Sequence, residues 1–188
     1  MGGEVVSGQL IPGKLSVLVK PGHQSNTGAS GNGVKEKLVN EQVANKLVAA
    51  LQAKQYGCES ILNKSPSSGA EYALSKKDVA TCVISIHCNK GGGKGVVVLF
   101  KHRNGYNGDS TRGHPLSEPL ADKIGLKLRP IMPKKKPKDA HKAHQPPYDS
   151  TGRQNDGFLR NVGTGMPAVL IELGFLDNKD DAAKLNSP

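Results

Sequence analysis

The chain has 188 residues, about one domain's worth at roughly 100–200 residues per domain. Hydrophobic residues at 36% and charged residues at 22% exclude an integral membrane protein and a disordered tail, and 23 glycines with 12 prolines argue against coiled coils and long bundles. Lys plus Arg (26) exceeds Asp plus Glu (16) by +10, so an anionic partner is expected: nucleic acid, a membrane surface or an acidic polymer.

Residues 1–14 read as an N-terminal extension. No charged start followed by an apolar run occurs there, so no signal peptide is expected and synthesis is placed in the cytoplasm. No run approaches the ~18 apolar residues that span a bilayer. Residues 15–19 form a short apolar strand feeding the Lys20-Pro21-Gly22 turn, and 25–33 is a polar, Gly-bearing loop. From 34 to 56 the pattern turns helical, with Val39, Val43, Leu47, Ala50 and Leu51 on one stripe and Gly57 as the stop. Strands are expected at 59–62, at 79–86 (apolar on both faces) and at 96–100, after the Gly91-Gly92-Gly93 turn. Leu116, Leu120, Ile124 and Leu128 define a second helix over 116–128. A last strand covers 168–171 and a short helix 179–185. The segment 129–150 is rich in Lys and Pro; its five prolines bar a long helix and make it a loop or insertion.

Strands alternating with helices predict a single α/β domain over 15–188. Its sheet is expected to be mostly parallel and twisted, of about five to six strands, with helices on both faces. Cys58, Cys82 and Cys88 are too few and too odd for a disulfide scaffold. Cys82 and Cys88 share one strand at ~20 Å separation, so reduced core thiols are expected.

Three apolar runs lead into residues able to bind metal or move protons: the first into His23, the third into His87, the last into Glu172. In open parallel sheets ligands collect outside the carboxyl ends of the strands. Glu36 joins them. At ~100° per residue it lies ~20° from Val43 and Leu47 on the apolar stripe, whereas Glu41 is ~140° away and faces water. A carboxylate on the buried face needs a helix N-terminus or a cation as partner. Two imidazoles and a carboxylate match a catalytic zinc site with a position left for water, and Glu172 would be the non-ligand base. Each residue alone has an ordinary explanation: a satisfied strand-end histidine, a first-turn acid, a core Glu paired with Arg. Their combination favours the site.

Four local sequences carry a resemblance: Pro21-Gly22-His23; Gly31-Asn32-Gly33-Val34-Lys35-Glu36-Lys37; Ser85-Ile86-His87-Cys88-Asn89; and Pro167-Ala168-Val169-Leu170-Ile171-Glu172-Leu173-Gly174-Phe175 on to Asn178. In this order, covering about 15–185, they resemble the zinc-dependent N-acetylmuramoyl-L-alanine amidases of the type 3 class. The resemblance implies zinc (Zn2+) on His23, Glu36 and His87, Glu172 as the catalytic acid/base, and the muramic acid–L-alanine amide of bacterial peptidoglycan as substrate. It also implies delivery to the cell wall by phage lysis, by a sporulating mother cell or by a secretion device. Family members commonly have Asp before Pro-Gly-His and glycines after it. Here Lys20 precedes, expected to point away from the metal, and Gln24 and Ser25 follow.

Cys88 follows His87 directly, but strand alternation turns it to the opposite face, away from the metal. His141 and His144 are expected on a solvated loop, His114 on the surface before Pro115, and His102 is unassigned. The 129–150 segment carries six positive residues against two acids, a net +4. Lys134, Lys135, Lys136 and Lys138 suit an anionic wall polymer. Nucleic acid suits it less, since Tyr148 is its one aromatic. A peptidoglycan-binding module without turnover is the alternative, and a monomer is the default.

Overall fold

The computed structural model describes residues 8–103, 112–133 and 157–187. In chain order it has β1 (Ser16–Pro21), β2 (Ser30–Gly31), β3 (Val34–Lys35), α1 (Glu36–Ala53), β4 (Gly57–Ser60) and α2 (Pro66–Ser75). Then come β5 (Cys82–Asn89), β6 (Val97–Phe100), α3 (Ser117–Leu128), α4 (Gly157–Val162), β7 (Ala168–Phe175) and α5 (Lys179–Leu185). Five strands form one sheet in the order β4-β1-β5-β7-β6, and β2 and β3 form a small hairpin. β1 pairs in parallel with β4 and β5, and β5 with β7; β6 closes one edge antiparallel to β7.

Helices cover both faces, which is why the central strands read as unbroken apolar runs. On one face Val17, Val19, Ile84, Ile86, Val169 and Ile171 pack with Ala44 and Val48 of α1 and Ala121 of α3. On the other, Leu18, Val83 and Leu170 pack with Ala70 and Ala73 of α2 and Phe158, Leu159 and Val162 of α4. Each of the Val, Leu, Ile and Phe side chains contributes ~1.5–3 kcal/mol by leaving water. The three cysteines are buried thiols. Among the described residues no helix is long and apolar enough to cross a membrane.

Several boundaries differ from the sequence reading. α1 stops at Ala53 rather than at Gly57. Its end is a Schellman turn: Gln55 N–H donates to Gln52 O (2.8 Å) and Tyr56 N–H to Leu51 O (3.0 Å). Gln55 takes the left-handed position usually given to glycine (φ 57°), so the visible glycine lies two residues late. Gly57 instead opens β4, where a Cβ would sit 2.2 Å from Ser16 Oγ. The loop expected at 25–33 contains β2, and the helix expected from 34 begins only after β3. Two helices had no leucine stripe to announce them. α2 is capped by Ser65, whose hydroxyl accepts Ser68 N–H, with Pro66 in the first turn. It buries only Gly69, Ala70 and Ala73. α4 is a bare six residues. β5 and β7 run on to Asn89 and Phe175, so His87 and Glu172 lie inside strands rather than at their ends. Of the 129–150 segment, 134–150 lies outside the described residues, as do His141 and His144; Met132 is packed into the core. On the outer side of β4, Gln9 O accepts Cys58 N–H at 3.0 Å.

Candidate active site

The parallel register decides what meets at the carboxyl end of the sheet. Gly22 leaves β1 with its N–H donated to Ile86 O of β5 at 2.8 Å. It must be glycine, because a Cβ there would lie 2.2 Å from His87 Cε1. His23 follows at φ 60°, left-handed backbone that costs a non-glycine residue ~1–2 kcal/mol. Its Nδ1 lies 2.7 Å from Asn26 Oδ1, which also accepts Gly28 N–H at 3.0 Å. An amide oxygen only accepts, so Nδ1 carries a hydrogen, and Nε2 is the ring nitrogen turned toward Glu36 Oε1, 3.4 Å away.

Glu36 opens α1 and is buried. Its Oε1 lies 3.1 Å from His87 Nδ1 and accepts Cys88 N–H at 3.1 Å, while Oε2 accepts Ala29 N–H at 2.8 Å. Burial alone would push this carboxyl up. Hydrogen bonds from His87, Ala29 and Cys88 and the His23 charge outweigh it and hold the group below the usual carboxylate value. The two rings stand edge to face, with centroids 5.1 Å apart. Lys35 offers α1 no side-chain cap; instead Ala29 O and Thr27 O accept the first two helical N–H groups, at 2.9 and 3.5 Å. The 27–29 loop thus caps the helix and seats Glu36 together.

Ligand atoms of His23, Glu36 and His87 lie within 4.8 Å of one another, the one such grouping of three His, Cys, Asp or Glu among the described residues. Donors at ~2.0–2.1 Å from a tetrahedral zinc stand roughly 3.3 Å apart. The 3.4 and 3.1 Å separations from Glu36 Oε1 match that edge, and two imidazoles with a carboxylate are donors of the kind zinc takes. Glu172 is the register partner of His87 across β5 and β7. The two therefore stand side by side on one sheet face, and Glu172 Oε2 is shielded from water.

The family model described as N-acetylmuramoyl-L-alanine amidase matches residues 17–188. This chain belongs to that family. It is 30% identical over 179 residues to the N-acetylmuramoyl-L-alanine amidase CwlM of Bacillus licheniformis, covering 92% of this chain and 61% of that one. It is 27% identical over 182 residues to the uncharacterized protein YqiI of Bacillus subtilis, covering 94% and 77%. Its fold is shared with Cwp6 from Clostridium difficile (TM-score 0.71, 23% identity, 93% of this chain and 26% of that one). It is shared too with the apo amidase Ami1 from Mycobacterium abscessus (TM-score 0.70, 20% identity, 95% and 91%). The chain thus spans 61% of the length of CwlM and about a quarter of Cwp6.

Other residues singled out by the sequence surround this candidate site. Cys88 does face away from the ligand cluster: its Sγ reaches Asn40 Oδ1 at 3.7 Å. Burial first, then the charges of Glu36 and Glu172, push its thiol well up, so it stays protonated. Lys20 also points elsewhere, its Nζ 5.6 Å over the Phe158 ring. Glu41 corrects the expectation of a water-facing acid: its side chain is only 12% exposed and lies 4.0 Å from Lys37 Nζ. His114 Nδ1 accepts Leu116 N–H at 3.1 Å at the start of α3, and His102 lies 3.7 Å from Glu118. Lys134, Lys135, Lys136 and Lys138 lie outside the described residues. The sequence reading missed Asn26 and Asn40. Asn40 left a signal, a polar residue ~40° from Glu36 on the same stripe; Asn26 is one polar residue among many in its loop.

Proposed function

We propose that this chain hydrolyses the amide between N-acetylmuramic acid and L-alanine in bacterial peptidoglycan, with zinc as its metal. The observation that carries this reading is the convergence of His23 Nε2, Glu36 Oε1 and His87 Nδ1 beside Glu172. Bound zinc supplies a Lewis acid and a water acidified to a pKa of about 7. His23, Glu36 and His87 would hold the ion. The hydrogen bond from His23 Nδ1 to Asn26 keeps Nε2 available as a ligand atom, and the N–H groups of Ala29 and Cys88 favour the anionic form of Glu36. Glu172 takes the proton of the attacking water as its oxygen bonds to the lactyl carbonyl carbon. As the C–N bond breaks, the same carboxyl returns the proton to the alanine nitrogen. Lys134, Lys135, Lys136 and Lys138 add a long-range attraction for anionic wall polymer.

The test is amine release from purified peptidoglycan. New L-alanine amino termini are expected with wild type, lost with chelator and restored by zinc. Glu172→Ala should keep one zinc per chain and lose about 10²–10⁴-fold in rate. His23→Ala should lose both. A Glu172→Ala protein that binds no zinc would overturn this division of roles, and zinc-loaded wild type that releases no amine would reduce the chain to a binding module.

A further inference from the structure

We propose that Asn40 is the positioning residue of the metal site, one buried amide that locks together the segments bearing all three ligands. The inference rests on the zinc reading above and adds a residue to it. Asn40 lies one helical turn beyond Glu36 on α1 and is 0% exposed. Its Nδ2 donates to Gly22 O at 3.2 Å, the carbonyl of the peptide bond that leads into His23. Its Oδ1 accepts the thiol of Cys88 at 3.7 Å, on the residue that follows His87. The Cys88 N–H closes the circuit on Glu36 Oε1 at 3.1 Å. One side chain on the Glu36 helix therefore holds the carbonyl before His23 and the thiol of the residue after His87.

Only an amide fills this role. The carbonyl needs a donor and the thiol needs an acceptor, and both must be supplied without charge in a buried place. Aspartate would offer acceptors alone and put a second anion one turn from Glu36; leucine would offer neither. The contact to Gly22 matters more, because the plane of the Gly22–His23 peptide sets how His23 reaches its left-handed φ of 60°. With that carbonyl released, His23 can relax to an ordinary φ and swing its ring out of the site. The strands and the Glu36 contacts to Ala29 and Cys88 are untouched by that movement, so metal affinity should suffer more than the fold.

The experiment compares wild type, Asn40→Leu, Asn40→Ser and Cys88→Ala by three readouts: thermal unfolding of the metal-free protein, zinc affinity by chelator competition, and the visible spectrum of the cobalt(II)-substituted protein. Asn40→Leu is expected to keep a cooperative unfolding transition, lose about 10–100-fold in zinc affinity and shift the cobalt bands. Asn40→Ser, whose hydroxyl is too short to span both partners, should move the same way and serves if the leucine variant does not fold. Cys88→Ala removes the thiol arm alone and should cost less affinity than either. Wild-type zinc affinity with an unaltered cobalt spectrum in a folded Asn40 variant overturns the proposal. A wild-type protein that takes up neither zinc nor cobalt defeats the zinc reading itself, and this inference with it.

Discussion

Position 22 has no room for a methyl group, since its Cβ would fall 2.2 Å from the His87 ring. Gly22 does not have a positive φ, so the penalty is steric and is aimed at the His87 ring. Gly22→Ala is expected to weaken zinc binding at least 10-fold through displacement of His87, measured by chelator competition against the wild type. Tyr72 makes a second single-residue prediction. Its hydroxyl donates to Glu59 Oε1, while Lys64 Nζ and Lys76 Nζ stand 5.1 and 5.4 Å from its ring centroid. The bond to Glu59, then burial and the Glu59 charge, raise the phenol to about 12. A raised folded value means this contribution to stability is whole below pH ~10 and fades as pH climbs toward the folded value. Near-ultraviolet titration should show one late phenolate near that pH, absent from Tyr72→Phe. At this scale the sequence was most informative where ionisable residues interrupt apolar runs, which is how His23, Glu36, His87 and Glu172 stand out. It was least informative for Asn26 and Asn40, whose roles are hydrogen bonds to groups that no spacing rule brings together.

Among the elements, α5 does more than close the chain. Asn178 caps it by accepting Asp180 N–H and Asp181 N–H, and Asp181 is buried at 1% exposure. Asp181 Oδ2 accepts Gly95 N–H at 2.6 Å and Phe175 N–H at 3.0 Å, pinning the entry to β6 and the end of β7. Asp177 Oδ2 holds Gly91 and Gly92 N–H in the same loop at 2.9 and 2.8 Å. Asp181→Ala would leave two backbone donors without their acceptor, at ~1–3 kcal/mol each. Urea unfolding should show a loss on the order of 2–6 kcal/mol. The bounds of α5 were legible because Asn178 is a strong cap and acids follow it. The helices α2 and α4 were not, because small residues at close helix contacts carry no hydrophobic period. The end of α1 was misplaced for a related reason: Gln55 adopts a backbone that sequence rules reserve for glycine.

Across the whole molecule, the parallel class of the sheet followed from alternation, but its strand order did not. β6 follows β5 in sequence yet pairs with β7 at the far edge, antiparallel, and no local pattern announces that crossing. The order is what makes His87 and Glu172 neighbours. Because the ion would join segments separated by over sixty residues, its binding should be felt globally. At zinc 100 times its Kd, stabilisation is about 2.7 kcal/mol. For a chain of this size that is a rise in Tm on the order of 5–10 °C. Calorimetry with and without zinc should show it in wild type and not in His23→Ala. A further global consequence lies in the start of α1, which is capped by a loop backbone rather than by a side chain. The amides of Glu36 and Lys37 bond to Ala29 O and Thr27 O rather than to any helical partner. Their deuterium uptake therefore depends on the 27–29 loop lifting, not on the helix unwinding. Two isotope labels would thus time the opening of the site, with no substrate needed.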